Sequence, residues 1–276
     1  MATYLNWDAE GSRYYETGVD HGVLFPKNAA GTEYTDGVVW NGLTSVSESP
    51  SGAEETKLYA DNIKYLSLRS AEEFGATVEA YTYPDEWAVC DGSAALDEAG
   101  GVYIGQQTRR GFALSYRTKK GSDQNPDLGY LLHIVYNAMA SPSERSYATI
   151  NDSPEAITFS WELTTTPVSF GPDFKPSALL TIDSTKVDPT VLAEIEAKLY
   201  GVAGTGGADG TPAQLPTPEW IISKVAASAP SEPTYTEVTE PSGNPSQQGW
   251  YELNDGVYTL TEDTEVAQGK TYYTKD

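Results

Sequence analysis

The chain has 276 residues and is 39% hydrophobic, enough to bury a sizeable core as one large β domain or two smaller domains. Seventeen Lys and Arg against forty Asp and Glu leave a formal net charge of −23, which repels phosphate and anionic lipid and argues against a protein that grips nucleic acid. A mean hydropathy of −0.44, with no apolar run near the ~20 residues of a spanning helix, excludes a helical membrane protein.

The N-terminal residues Met1 to Asp8 contain neither a basic segment nor an apolar one, so no secretory signal is expected and folding is expected in the cytosol. One cysteine, Cys90, cannot close an intrachain disulfide. Two histidines, His21 and His133, leave little for a metal cluster or a nucleophilic triad, so neither a metal nor a cofactor is expected. Nineteen Tyr, six Trp, twenty-five Gly and seventeen Pro suit short strands joined by tight turns, and the chain is expected to be mainly β.

In chain order, Asn41 to Leu68 comes first, mixing polar residues with regularly placed apolar ones around a turn at Pro50 to Gly52. It reads as an extended hairpin or long arm over about 44–64. Leu58, Tyr59, Ile63 and Tyr65 are more apolar surface than one small sandwich can cover on both faces, which suits packing on a neighbouring subunit; an ordinary internal hairpin is the alternative. Phe74, Ala76, Val78 and Ala80 alternate with polar neighbours as a half-buried strand, and Phe112, Leu114 and Tyr116 do the same. Tyr130 to Met139 is apolar in both registers and reads as a strand covered on both faces, with His133 an interior or interface histidine.

Ala156 to Thr164 alternates most cleanly, with Ile157, Phe159, Trp161 and Leu163 inward and Thr158, Ser160 and Glu162 toward water. Ala178 to Ile182 makes another short strand. Asp188 before Pro189, the spacing of Leu192, Ile195 and Leu199, and Gly201 predict a helix over about 189–200. A second, shorter helix begins at Thr217 and Pro218. From 228 to 248 the composition turns to Ser, Pro, Glu and Thr and reads as a linker, which makes 1–227 a core domain. Residues 249–276 then hold three short strands, with Asn254-Asp255-Gly256 as a hairpin turn, and form a small C-terminal β appendage.

Candidate chemistry is sparse. The acid doublets Glu54-Glu55, Glu72-Glu73 and Asp85-Glu86 are sequence neighbours, which point to opposite faces of a strand and cannot flank one glycosidic bond. Asp123 to Asp127 offers oxygen ligands for calcium without the glycine and distal glutamate of an EF-hand loop. No phosphate-binding glycine loop is present.

The segments Trp40 to Pro50, Leu58 to Tyr65, Ala71 to Pro84, Ile104 to Gln107, Leu114 to Thr118, Ala140 to Glu144, Thr149 to Trp161 and Thr181 to Asp188 stand apart from these short motifs by their length. Together they resemble the major tail tube proteins of long-tailed, non-contractile bacteriophages and prophages of Gram-positive bacteria, and the likeness covers roughly residues 1–226. The resemblance implies a β-sandwich or barrel-like tail tube fold with one flanking α-helix. It implies a structural virion protein, not an enzyme, that assembles into stacked hexameric rings around a tape-measure protein, meets a tail terminator and distal tail or baseplate proteins, and lets double-stranded DNA pass. It would be made in the host cytoplasm and end in the phage tail. An acidic lumen wall would let DNA slide rather than stick. On this reading Ser47, Glu48, Glu54, Glu55, Leu58, Tyr59, Ile63 and Tyr65 belong to the inter-subunit arm, and Thr158, Ser160 and Glu162 are candidates for the lumen wall. A carbohydrate-binding or adhesin-like β-sandwich and a glycoside hydrolase remain as alternatives.

Overall fold

The computed structural model describes residues 7, 9–97, 101–150, 152, 155–205, 209–228, 235–238, 241, 249–254, 257–261, 265 and 270–275. It falls into two compact units, Met1–Ser228 and Ala229–Asp276. The strands of the first unit are β1 (Tyr14–Pro26), β2 (Val38–Trp40), β3 (Leu43–Glu48), β4 (Ser51–Gly52), β5 (Glu55–Ala60), β6 (Ile63–Arg69), β7 (Glu72–Glu73), β8 (Gly75–Ala80), β9 (Ala94–Ala95), β10 (Tyr103–Ile104), β11 (Phe112–Ser122), β12 (Gly129–Ala140), β13 (Phe159–Thr165) and β14 (Leu179–Asp183). A 3₁₀ turn, Asp85–Val89, follows β8, and two helices, α1 (Pro189–Tyr200) and α2 (Pro218–Ser228), close the unit.

The main sheet is antiparallel in the order β2-β1-β11-β12-β13-β8-β3, with β14 also on β12. Strands β2 and β3 lie at opposite ends of this order, yet only Asn41 and Gly42 join them. The sheet therefore has to curl until its ends meet, and at the seam Leu43 of β3 packs directly over Gly22 of β1, where a Cβ would sit 2.6 Å from Leu43 Cδ1. The long strand β12 is shared, pairing with β14 along Leu131–Val135 and with β13 along Ala138–Ala140.

Curling gives the sheet an inside and an outside. Inside, Leu24, Trp40, Val78, Phe112, Leu114, Trp161 and their neighbours form one apolar core. Its centre is aromatic: the ring centroids of Trp40 and Trp87 are 4.6 Å apart, those of Trp87 and Trp161 5.3 Å, and those of Trp87 and Phe112 4.9 Å. Each such pair adds about 0.5–1.5 kcal/mol to what burial alone supplies. Outside, Val23, Phe25, Ala113, Leu132, Ile134 and Tyr136 form a second core under α1 and α2. This explains why β12 is apolar in both registers. It also shows β11 to be covered on both faces, since Ala113 and Ser115 are buried as well as Phe112, Leu114 and Tyr116.

Helix α1 is built as its sequence directs. The Asp188 carboxylate accepts from the Thr190 and Val191 amides at 2.8 and 3.4 Å, Pro189 opens the first turn, and Gly201 leaves the helix at φ 74°. Its buried stripe is Val191, Ile195 and Leu199, so Ile195 and Leu199 are inward as predicted, while Val191 takes the first inward position and Leu192 lies at the margin. The resemblance implies one flanking helix, and the second, shorter helix read from Thr217 and Pro218 is present beside it: α2 starts under a Thr217 hydroxyl that accepts from the Trp220 amide at 3.3 Å, and it buries Pro218 and Ile221.

Two further expectations change. Strand β13 begins at Phe159, not Ala156, which leaves Ile157 exposed and Thr158 ahead of the strand. The 228–248 span begins with the last residue of α2 and contains β15 (Tyr235–Glu237), so it is not linker throughout. The remaining strands of the second unit are β16 (Tyr251–Asn254), β17 (Val257–Leu260) and β18 (Tyr273–Lys275), in the sheet order β15-β18-β16-β17. Trp250 and Tyr272 are buried there, their rings 5.7 Å apart, while the predicted turn residues Asp255 and Gly256 lie outside the described residues.

Candidate functional site

The hairpin that leaves the main sheet from β3 and returns in β8 continues outward as two further ladders, β4 on β7 and β5 on β6. Its tip is Asp61-Asn62, at φ 51° and 64°, the two-residue left-handed turn whose twist matches paired strands and which Asp and Asn tolerate. The reversal is therefore at 61–62 rather than at Pro50 to Gly52, where Ser51 and Gly52 instead pair with Glu73 and Glu72. At ~3.3 Å per residue, the stretch 49–61 reaches at most about 40 Å.

Register sorts the arm into two faces. Glu55, Lys57, Lys64 and Ser67 share one of them, where Glu55 Oε1 accepts from Lys64 Nζ and from Ser67 Oγ, both at 2.5 Å. These bonds, the Lys64 one foremost, hold the Glu55 carboxyl below its ordinary range. Thr56, Leu58, Ala60, Ile63, Leu66 and Leu68 share the other. A bulge sets this sorting: Leu58 faces Leu66 while Tyr59 faces Lys64, leaving Tyr65 as the extra residue. On that second face Leu58, Leu66, Leu68 and Ile63 are 42%, 45%, 50% and 64% exposed, whereas Tyr59, 69% exposed, falls by register on the Glu55 face and Tyr65, 71% exposed, is the bulged residue. The arm thus presents an apolar face that this chain does not cover.

The arm is anchored through its root. Glu48, the last residue of β3, accepts the Tyr116 hydroxyl at 2.8 Å and lies 3.7 Å from His133 Nδ1. His133 stacks on Tyr116 with centroids 4.7 Å apart, and its two nitrogens meet the Thr118 and Thr181 hydroxyls at 3.1 and 3.3 Å. Burial, opposed by Glu48 and Glu16, lowers the His133 pKa. His133 is thus an interior histidine with its polar atoms satisfied.

Strands β3, β8 and β13 have a second surface, opposite the tryptophan core, that neither helix covers. Ser45, Glu79 and Ser160 run across it in one row, and Ser47, Thr77 and Glu162 in the next. Ser45 Oγ donates to Glu79 at 2.8 Å. No Lys or Arg occurs on these three strands, so Glu79 and Glu162 give the surface a single sign of charge.

The sequence-derived positions therefore separate into three places. Glu54, Glu55, Leu58, Tyr59, Ile63 and Tyr65 lie on the projecting arm. Ser47 and Glu48 belong to the main sheet, and the Glu48 carboxylate is engaged within the chain. Ser160 and Glu162 lie on the bare surface, with Thr158 just outside the strand. Sequence reading missed Leu66 and Leu68, Glu79, and a network in which Arg117 donates to Asp20 at 3.1 Å, meets His21 at 2.7 Å and covers the Tyr130 ring at 4.4 Å. Tyr130 in turn donates to Glu196 at 2.6 Å, tying the sheet to α1. Burial and this carboxylate push the Tyr130 pKa up to about 12.

Among the described residues no group of three His, Cys, Asp or Glu is placed to hold a metal ion. Within the 123–127 segment Asn125 Oδ1 accepts from the Asp127 amide at 3.1 Å, Asp123 Oδ2 accepts from the Gly11 amide at 3.4 Å, and Gln124 donates to Glu10 at 3.2 Å. Of three surface cavities, one has no carboxylate in its lining, one has Asp183 and one has Glu72, so none sets two acids across a cleft.

No protein-family model matches the chain, and no curated protein matches it. Among solved structures, a chain of the anti-feeding prophage baseplate, determined by cryo-EM with 6-fold symmetrisation, is similar over 68% of this chain and 100% of its own length. The two share 8% identity, with a TM-score of 0.29.

Proposed function

We propose that this chain is a structural subunit of a bacteriophage tail that assembles with copies of itself into hexameric rings stacked as a tail tube. The observation that carries the reading is the arm: a hairpin with a continuous apolar face, exposed on the single chain, is surface that another protein has to cover. The segments that resemble tail tube proteins, Leu58 to Tyr65 among them, make that protein a second copy. The bare surface of β3, β8 and β13 supplies the wall of the channel. Its acidic, hydroxyl-rich character opposes adhesion of DNA phosphates and favours passage. On this reading the chain does no catalytic chemistry, and its other contacts are with a tape-measure protein inside the tube and with terminator and distal tail proteins at its ends.

The test shortens the arm without touching the core. The Ala53 amide donates to the Ala71 carbonyl at 3.4 Å across the ladder, so residues 54–70 can be replaced by an Asn-Gly turn. Sedimentation velocity of the 276-residue chain is expected to show concentration-dependent large species, and the shortened variant a folded monomer. Undiminished assembly of the shortened variant would remove the arm from the account. A wild-type chain that stays monomeric and binds oligosaccharide through Tyr59 and Tyr65 would favour the carbohydrate-binding alternative.

A further inference from the structure

A cavity of about 640 Å³ opens beside the end of β12, lined by Lys27, Arg109, Arg110, Asn137 and Thr166 among others. It brings three cations together with no carboxylate in its lining, in a chain whose acids outnumber its bases forty to seventeen. Several other cations are spent on acids, as in Arg117 with Asp20, Lys120 with Asp183, Lys64 with Glu55, and Lys224 with Glu194, while Arg69, Lys119, Lys175 and Lys198 make no ion pair among the described residues; what sets the cleft apart is that three cations line one cavity without a carboxylate. Among the described residues Lys27 Nζ meets the neutral Asn137 Oδ1, at 2.6 Å, and the Tyr34 ring, at 5.3 Å. Among the described residues neither Arg109 nor Arg110 has an ion-pair partner, and Arg109 Nε is buried with no hydrogen-bond partner.

The backbone is shaped around these groups. Asn137 sits at φ 50° in the bulge where β12 slips against β11, and it is pinned by the Tyr34 hydroxyl on its amide at 3.1 Å and by Thr166 on its carbonyl at 3.1 Å. Two glycines leave room for the cationic stems: a Cβ on Gly111 would meet Lys27 Cδ at 3.4 Å, and one on Gly92 would meet Arg109 Cζ at 3.3 Å. Arg109 and Arg110 are only partly buried, and the planar N–H fork of a guanidinium is matched best by a planar oxyanion that can take two of its N–H groups at once.

We propose that this cleft is an anion site whose occupant is an Asp or Glu carboxylate of a second copy of the chain. The inference rests on the self-association proposed above. Copies carrying −23 each repel one another, so a stable contact needs cations not already used within the chain, and the group another copy most abundantly offers is a carboxylate. A phosphate of passing DNA is the competing occupant, because Thr164 at the end of the bare face of β13, and Met139 of β12 paired with it, border the same cleft.

The experiment compares wild type with Arg109→Gln/Arg110→Gln and, because Arg109 packs closely on Gly92, with Lys27→Gln, which keeps a donor for Asn137. Critical concentration for assembly is measured by sedimentation across a salt series, and thermal midpoints are measured with sodium glutarate or inorganic phosphate at matched ionic strength. The expected result is a critical concentration at least tenfold higher in the variants, a weaker salt dependence than wild type, and a glutarate-induced rise in midpoint that wild type shows and the variants lack. Variants that assemble like wild type overturn the proposal while leaving self-association standing. Wild type that never assembles removes the self-association reading and the second-copy occupant with it, and the glutarate shift then reports separately on the anion site. A midpoint shift with phosphate but not with glutarate overturns the carboxylate assignment.

Discussion

The hydroxyl of Tyr116 donates to the carboxylate of Glu48 at 2.8 Å, joining the interior of β11 to the residue from which the arm departs. Burial and the adjacent Glu48 both raise the Tyr116 pKa, so the phenol stays a donor throughout the working range. Hydrogen bonds to charged groups contribute about 1.5–3 kcal/mol, and Glu48 regains some solvation when the bond is lost. Tyr116→Phe is expected to cost about 1.5 kcal/mol, a drop of roughly 3–6 °C in the thermal midpoint of the first unit. Differential scanning calorimetry measures it.

His133, stacked on that same tyrosine, gives the fold an acid-sensitive step. Burial holds its folded pKa below the ordinary histidine value of about 6.5, so the unfolded chain binds the proton first as pH falls. The stability it contributes is complete above about pH 6.5 and is lost as pH falls from there toward the folded pKa. His133→Asn is expected to flatten urea-unfolding stability between pH 7 and 5.5 relative to wild type. An unchanged slope in the variant would remove His133 from the pH dependence.

Charge on the apolar face of the arm separates folding from assembly. Leu58 and Leu66 oppose one another and are both exposed, so Leu58→Glu with Leu66→Glu is expected to shift stability by no more than about 0.5 kcal/mol per site. Light scattering is expected to show polymerisation abolished, because two like charges per copy would have to be desolvated at the contact.

How much of this was legible in the sequence depends on whether the signal was local. Helix α1 was readable because Asp188, Pro189 and Gly201 each act within a turn of one another, and β12 because both of its registers are apolar. The arm was recognised from Leu58, Tyr59, Ile63 and Tyr65, but its reversal was placed at Pro50 rather than Asp61-Asn62. Leu66 and Leu68 escaped notice because the bulge at Tyr65 flips the side-chain parity of the return strand, which alternation alone does not reveal. Ile157 continued the pattern of Phe159 and Trp161 in sequence, but β8 pairing stops at Phe159 opposite Ala80, so nothing buries it. The cationic cleft was invisible for another reason: Lys27 and Arg109 are remote in sequence and meet only after β1 and β11 pair.

The tryptophan cluster supports a prediction of scale. Trp161 contacts four aromatic rings, Trp40, Tyr83, Trp87 and Phe159, and is nearly fully buried, so Trp161→Ala is expected to cost about 3–5 kcal/mol. Trp87 Nε1 is buried without a hydrogen-bond partner, so Trp87→Phe removes an unsatisfied donor along with volume and is expected to cost less than half as much. Chemical denaturation of both variants gives the comparison.

The bare acidic surface is tested through Glu162. Glu162→Lys adds two units of positive charge to each copy on a surface that otherwise carries only Glu79. Tubes are expected to assemble normally while DNA delivery slows, most at low ionic strength where screening is weak. Normal delivery through normal tubes would place Glu162 away from the channel.

Negative-stain electron microscopy of the purified 276-residue chain at rising concentration distinguishes a tube subunit from a monomer. Six-subunit rings that stack into tubes with a stain-filled lumen are expected. Monodisperse particles the size of a single chain at every concentration would contradict that assembly.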